Sequence, residues 1–294
     1  MIFYKTSSFG NDFIEIEAGE AAVPPGDRGA LVRAICDRQR GVGADGVVFY
    51  RRGRQAARAV RPPSPRGTGV PLGDRAERGK WHFEIFNRDG GAAELSGNGM
   101  AGLAAVLIQR RAARSPLVLH AAIGPRRIVL VGRQGPFFDL DVEIGLPDFA
   151  RRDFFPFLEK GAGSYRAAGV EFHPVAVGNP HAVVLCRRLP AMARLAALGG
   201  KLEGNSLFPK RVNVEFVQPC GAGRCRVFFF ERGVGPTQAS STGSAAIFAV
   251  LRRLGLAGER LTVECGSEAI AAIWRQGIFI RNRTRLVCRG EYFS

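Results

Sequence analysis

The sequence predicts a strand-rich α/β (α+β) protein in two similar halves, each built around one buried helix. Three observations carry this. Ser96-Gly97-Asn98-Gly99 feeds an apolar run that ends at Gln109-Arg110-Arg111, and a segment apolar on all sides is a core helix. A second stretch, Ser240 to Leu251, aligns with the first without a gap, placing Ser96 on Ser240, Gly99 on Gly243 and Ala105-Val106-Leu107 on Ala249-Val250-Leu251. The spacing is about half the chain, as for two domains of related build. The rest reads largely as short strands, and 294 residues with 46 % apolar content suffice for two cores.

Taken in order, Ile2 to Lys5 and Phe13 to Glu17 are strands around the turn-rich Ser7 to Asp12. The spacing of Leu31, Val32, Ile35 and Cys36 predicts a helix over 27–40, stopped by Gly41-Val42-Gly43-Ala44-Asp45-Gly46, and Val47 to Tyr50 is a buried strand. Residues 51–80 are rich in Pro, Gly and Arg, with nine Lys or Arg against Asp74 and Glu77, and read as a flexible basic insertion. Trp81 to Phe86 alternates as a strand and ends at the turn Asn87-Arg88-Asp89-Gly90. After the first central helix come strands at 117–120, 127–131 and 138–142. Val175 to Val177 then leads through Gly178-Asn179-Pro180-His181 into a strand ending at Cys186, followed by a helix over 189–198. Strands over 212–217 and 225–230 follow, the second reaching Glu231-Arg232-Gly233-Val234-Gly235 just before the second central helix, and strands fill the remainder. The expected domains are 1–118, with 282–294 returning to it, and 119–281.

The formal charge of +16 is almost all arginine, spread along the chain without an aromatic-basic motif, so nucleic acid is not the expected partner. Six cysteines with no Cys-x-x-Cys read as reduced thiols, and the four histidines lie far apart, so no metal is expected. No apolar run reaches membrane-spanning length and Met1 to Lys5 starts like a strand, which makes the cytoplasm the expected location and a membrane role unexpected. A homodimer is compatible with the sequence.

Asn11, Asn87, Asn98, Asn179, Asn213, His181, Glu231 and Arg232 all fall in loops or at strand ends beside turn residues. Each Asn alone reads as a turn former. Together with two helix N-termini they suit a small zwitterion bearing carboxylates, an amino acid. In these motifs the chain resembles the diaminopimelate epimerase family: Phe9-Gly10-Asn11-Asp12-Phe13, Asp37-Arg38 with Gly41 to Gly46, Phe86 to Gly90, Glu94 to Gly99, Gly178 to His181, Val212-Asn213 and Glu231 to Gly235 occur in the family's order.

The resemblance implies two pseudo-symmetric halves, each a curved mixed β-sheet wrapped around its helix, with the active site between them. It implies conversion of LL- to meso-diaminopimelate, in lysine and peptidoglycan precursor synthesis, without a cofactor. Asn11, Asn87, Asn179, Asn213 and Arg232 would hold the distal carboxylate and amine. The helix starts at Gly97-Asn98 and Ser241-Thr242 would take the α-carboxylate, and His181 and Glu231 would flank the reacting centre.

The chain departs from the family at the two proton-transfer positions. The family uses a cysteine at each central helix, and here these positions are Ser96 and Ser240. A thiol titrates at about 8.5 and lower at a helix N-terminus, whereas a serine hydroxyl must borrow a base. Ser241 stands for the family's glycine and Ala101 for an arginine common in it, a pattern that points to natural drift. Three readings follow. One is an isomerase of diaminopimelate or a related amino acid, its serines either engineered replacements for cysteine or assisted by Glu94, His181 or Glu231. Another is an impaired relative that binds an amino acid. The third is a different isomerase on the same fold, with Glu94 as its first candidate carboxylate. Plain N-capping also accounts for both serines.

Overall fold

A computed structural model describes residues 1–19, 28–53, 80–93, 95–121, 124–221 and 223–293. The basic insertion expected over 51–80 therefore lies, at 54–79, outside the described residues, as does Glu94. Its two ends are described: Arg51 and Arg52 belong to a strand, and Gly53 N–H donates to the Lys80 carbonyl at 2.8 Å.

The architecture is a mixed sheet system with four described helices, and its strand order repeats. In the first repeat β1 (Ile2–Ser8) and β2 (Asn11–Glu17) are antiparallel. β2 crosses through α1 (Arg28–Cys36) to the parallel β3 (Gly46–Arg52), and β4 (Trp81–Asn87) returns antiparallel. The short β5 (Ala92–Ala93) precedes the central helix α2 (Gly97–Gln109), after which β6 (Leu117–Ala121) lies parallel to β4 and β7 (Gly124–Gln134) and β8 (Phe137–Gly145) meander. After β9 (Tyr165–Ala167) the same sequence of moves recurs. β10 (Val170–Val177) and β11 (Asn179–Leu185) are antiparallel, α3 (Met192–Glu203) crosses to the parallel β12 (Asn213–Gly221), and β13 (Arg224–Glu231) returns. β14 (Gly235–Thr237) precedes the central helix α4 (Ser241–Arg253). β15 (Arg260–Cys265) is parallel to β13, and β16 (Glu268–Trp274) and β17 (Ile278–Glu291) complete the repeat. β17 pairs with β8 through its first part and with β1 through its last.

Both central helices form where the sequence places them. Ser96 and Ser240 adopt nearly identical extended N-cap conformations, φ −141°, ψ 117° and φ −140°, ψ 121°. Each helix is buried through its first eleven residues, Gly97 to Leu107 and Ser241 to Leu251, so neither has a polar face. One core takes in both, with Met100, Leu103 and Leu107 of α2 and Ile247, Phe248 and Val250 of α4 packed among strands of both repeats. Full burial of one such side chain is worth roughly 1.5–3 kcal/mol. Two further clusters seat α1 and α3 on the sheets from outside, around Val32 and Ile35 and around Leu195 and Leu202.

Two helix boundaries differ from expectation. The helix expected over 27–40 ends at Cys36 because the Asp37 carboxylate accepts from the Gln39 and Arg40 N–H groups at 2.8 Å each, an Asx-type turn that diverts the backbone. The helix expected over 189–198 runs from Met192 to Glu203. It starts beyond Pro190, whose ring holds the preceding residue out of the helical region, and tolerates Gly199 because a Cβ there would stand 2.5 Å from the Phe230 ring. No described helix is long and apolar enough to cross a membrane.

Candidate active site

The first turns of α2 and α4 meet. A Cβ placed on Gly97 would stand 2.5 Å from Ser241 Cβ and 2.8 Å from its Oγ, so the two helix starts are in van der Waals contact and only glycine fits at 97 without displacement. Ser96 Oγ accepts from Gly99 N–H at 3.1 Å and Ser240 Oγ from Gly243 N–H at 3.2 Å. The N–H groups of Gly97, Asn98, Ser241 and Thr242, at the first two positions of each helix, have no intrahelical acceptor by helix geometry. Both N-termini thus present positive partial charge to one place.

That place is a cavity of about 540 Å³, bordered by both helix starts and by loops of both repeats. Asn11, Asn87, Ser96, Gly97, Asn98, Asn179, Glu231, Arg232, Ser240, Ser241 and Thr242 all line it. Local chain geometry brings them there. Gly10 and Gly178, at φ 77° and 79°, take left-handed turns that launch β2 at Asn11 and β11 at Asn179. Glu231 and Arg232 stand at the end of β13, in a turn closed by Val234 N–H donating to the Glu231 carbonyl at 3.0 Å.

His181 and Asn213 do not border the cavity. His181 is fully buried between Asn179 Oδ1, 2.8 Å from Nε2, and Glu215 Oε1, 2.7 Å from Nδ1. Asn213, its neighbour across the parallel β11–β12 pair, donates to the Pro180 carbonyl at 2.9 Å and accepts from Arg232 N–H at 3.0 Å. Asn179 and His181 lie two residues apart on one strand, so both point to the same side, but the second stands about 6–7 Å deeper. These two residues support the wall.

A hydrogen-bond line joins the repeats under the helix starts. Ser241 Oγ donates to Asn98 Oδ1 at 2.9 Å, Asn98 Nδ2 donates to Asn11 Oδ1 at 3.2 Å, and Asn11 Nδ2 donates to Asp45 Oδ2 at 2.9 Å. Arg38 binds Asp45 at 2.9 Å and Asp12 at 2.8 Å, and Lys5 lies 2.9 Å from Asp12. Burial pushes the Asp12 carboxyl up, but Arg38 and Lys5 together hold it below the usual range. Asp45 lies in the Gly43-Ala44-Asp45-Gly46 motif, and its signal in the sequence is an acidic residue inside a glycine-rich turn.

Glu231 is the cavity carboxyl with raised proton affinity. Burial pushes it up, Glu215 and Asp45 push the same way, and a bond of 2.7 Å from Thr237 Oγ1 and the nearby His181 oppose. Among the described residues no three metal-ligating side chains cluster.

The family profile described as Diaminopimelate epimerase matches residues 3–145 and 174–277, most of the chain. The chain belongs to the diaminopimelate epimerase family. By that membership it is an enzyme of the cofactor-independent isomerase type. Diaminopimelate epimerase of Pelotomaculum thermopropionicum is 30 % identical over 99 % of both chains, and that of Mycobacterium tuberculosis is 32 % identical over 99 % of this chain and 96 % of its own. Among solved structures, a probable proline racemase from Agrobacterium radiobacter superposes with a TM-score of 0.65 at 16 % identity, covering 99 % of this chain and 92 % of its own. A hydroxyproline epimerase from Agrobacterium vitis gives 0.63 at 17 %, covering 100 % and 91 %. At these identities the structures establish a shared fold, and the two-repeat build of the family is the one described above.

Proposed function

We propose that the cleft binds diaminopimelate or a related amino acid with a second carboxylate end, and that the protein is an isomerase acting at its α-centre. The observation that carries this reading is the meeting of two serine-capped helix starts in one cavity. Four N–H groups and two helix dipoles suit an α-carboxylate, and they are aimed at the charge that grows on it when the α-proton leaves. Arg232 with Asn11, Asn87 and Asn179 suits the distal carboxylate and amine, and Asn213 serves by holding the Arg232 backbone. The proposed domains are 1–118 with 282–294 and 119–281, a division that falls inside β6 and gives the first domain the end of β17, which pairs with β1.

Ser96 and Ser240 occupy the positions where the family resemblance places thiols. Each Oγ accepts a helix N–H, which leaves its hydrogen free to donate into the cleft, and among the described residues no base accepts it. His181 is sealed behind Asn179 and reaches neither. Among the described residues we assign proton transfer to Glu231, the cavity carboxyl of raised proton affinity: its carboxylate takes the α-hydrogen as the C–H bond breaks, the electron pair passes into the substrate carboxylate at the helix starts, and the carboxylic acid returns the proton to carbon. Return from this one face exchanges the α-hydrogen with retention; inversion needs a proton delivered to the opposite face, from water or from a serine hydroxyl, both poor acids, and is slow.

The same cap bonds favour a second reading, a relative that binds an amino acid and turns it over hardly at all. Both readings require the pocket, and calorimetric titration of meso-diaminopimelate tests it. Arg232→Ala is expected to weaken binding tenfold or more, at about 1.5–3 kcal/mol for a lost charged hydrogen bond. Unchanged binding of every such ligand would remove the pocket assignment.

A further inference from the structure

The orientation of the Asn179 carboxamide is set by a buried ionisable pair behind the cleft. His181 has no solvent exposure and Glu215 has 1 %. A carbonyl oxygen carries no hydrogen, so the 2.8 Å contact between His181 Nε2 and Asn179 Oδ1 requires a hydrogen on Nε2. The 2.7 Å contact between Nδ1 and Glu215 Oε1 then holds one further proton, on ring or carboxyl, and in either arrangement the pair is neutral overall. Burial pushes the Glu215 carboxyl up, opposed by His181. Its other oxygen, Oε2, is buried and bonds to no described residue, a position that suits an uncharged carboxyl better than a carboxylate.

Packing leaves this pair no room to rearrange except by moving protons. The first turn of α4 covers it: a Cβ on Gly243 would stand 3.0 Å from Glu215 Oε1 and 2.8 Å from the Phe229 ring. On the other side Asn179 reaches the cavity wall. With its oxygen committed inward, the Asn179 amide has its Nδ2 hydrogens left for the cleft.

We propose that Glu215 is a positioning residue, which through His181 locks Asn179 as a hydrogen-bond donor toward a carboxylate or carbonyl oxygen of the bound ligand. The ligand half of this statement rests on the amino-acid reading of the cleft. Without a partner at Nδ1, the ring is free to carry its hydrogen there. Nε2 then accepts from Asn179 Nδ2, and the amide turns its oxygen into the cleft, where it repels an anion.

The test uses the full chain, first without ligand. Nitrogen-15 NMR of the His181 ring is expected to show a hydrogen on Nε2 in the unmodified protein and in Glu215→Gln, which can still donate to Nδ1, and a shift of population to Nδ1–H in Glu215→Met. Titration with meso-diaminopimelate is expected to give similar affinities for the first two and a loss of roughly tenfold to hundredfold for Glu215→Met. A bare Nε2 in the unmodified protein overturns the proposal, and this measurement decides even if Glu215→Met does not fold. Equal affinity of Glu215→Met and the unmodified protein overturns it as well. Should the ring behave as expected while no variant binds the ligand, the lock on Asn179 stands and the diaminopimelate reading falls.

Discussion

Adding one methyl group at residue 97 tests the contact on which the cleft is built. In Gly97→Ala the new carbon would stand 2.5 Å from Ser241 Cβ, 2.8 Å from Ser241 Oγ and 3.2 Å from Ile144 Cδ1. Ordinary carbon contacts begin near 3.5 Å, so the helix starts must part by about 1 Å. Both helices are locked in one core, and overpacking of this kind costs about 1–3 kcal/mol; replacing a glycine returns at most about 1 kcal/mol. A second substitution, Ser241→Gly, removes both nearest atoms and also the bond to Asn98, worth about 1 kcal/mol. Urea unfolding of the two single variants and the double is expected to show a coupling of about 1–3 kcal/mol, with the double variant more stable than the sum of the singles. In thermal melts each kcal/mol is worth about 2–4 °C. A neutral Gly97→Ala, or additive effects, would refute the contact between the helix starts and with it the shared cradle.

Two further outcomes follow from buried carboxyls. Glu15 is fully buried beneath α2, where Thr6 Oγ1 donates to it at 2.8 Å, and burial pushes it from 4.5 up to about 8. The folded protein therefore keeps a proton that the unfolded chain loses, so its contribution is intact below 4.5 and declines toward pH 8 at up to about 1.4 kcal/mol per pH unit. Glu15→Gln is expected to flatten this decline in melts run across that range; an unchanged slope would show that Glu15 is not held neutral. For Glu231, the slow α-hydrogen exchange expected of the unmodified protein should rise with pH as this raised carboxyl ionises, and Glu231→Gln should abolish it while leaving ligand affinity within a few-fold. Exchange that survives in Glu231→Gln would assign the base elsewhere.

Much of this was legible in the sequence because it is local. Serine ahead of an unbroken apolar run identifies a capped core helix, and finding it twice identifies the repeat. Glycine before asparagine, at 10–11 and again at 178–179, identifies turns that aim a carboxamide. What was not legible depends on depth and on partners distant in sequence. His181 follows the Gly178-Asn179-Pro180 turn, where the family resemblance has it flank the reacting centre, but it lies two residues along β11 from Asn179 and behind it, outside the cavity. Glu215 sits in an apolar strand, where an acidic residue marks a buried partner without saying which. The Asp37 turn that shortens α1 had a visible signal, an Asp followed by polar residues, which the helical spacing of Leu31 to Cys36 outweighed.

The most direct measurement follows the α-hydrogens of LL- and meso-diaminopimelate by proton NMR in D2O, with the unmodified protein and with Ser96→Cys combined with Ser240→Cys. General acid–base groups of suitable pKa are worth about 10²–10⁴ in rate, so the double-cysteine variant is expected to lose the α-hydrogen signal and interconvert the isomers at least a hundredfold faster than the unmodified protein. No loss of signal with either protein would contradict the claim that this cleft is an α-proton-transfer site for diaminopimelate.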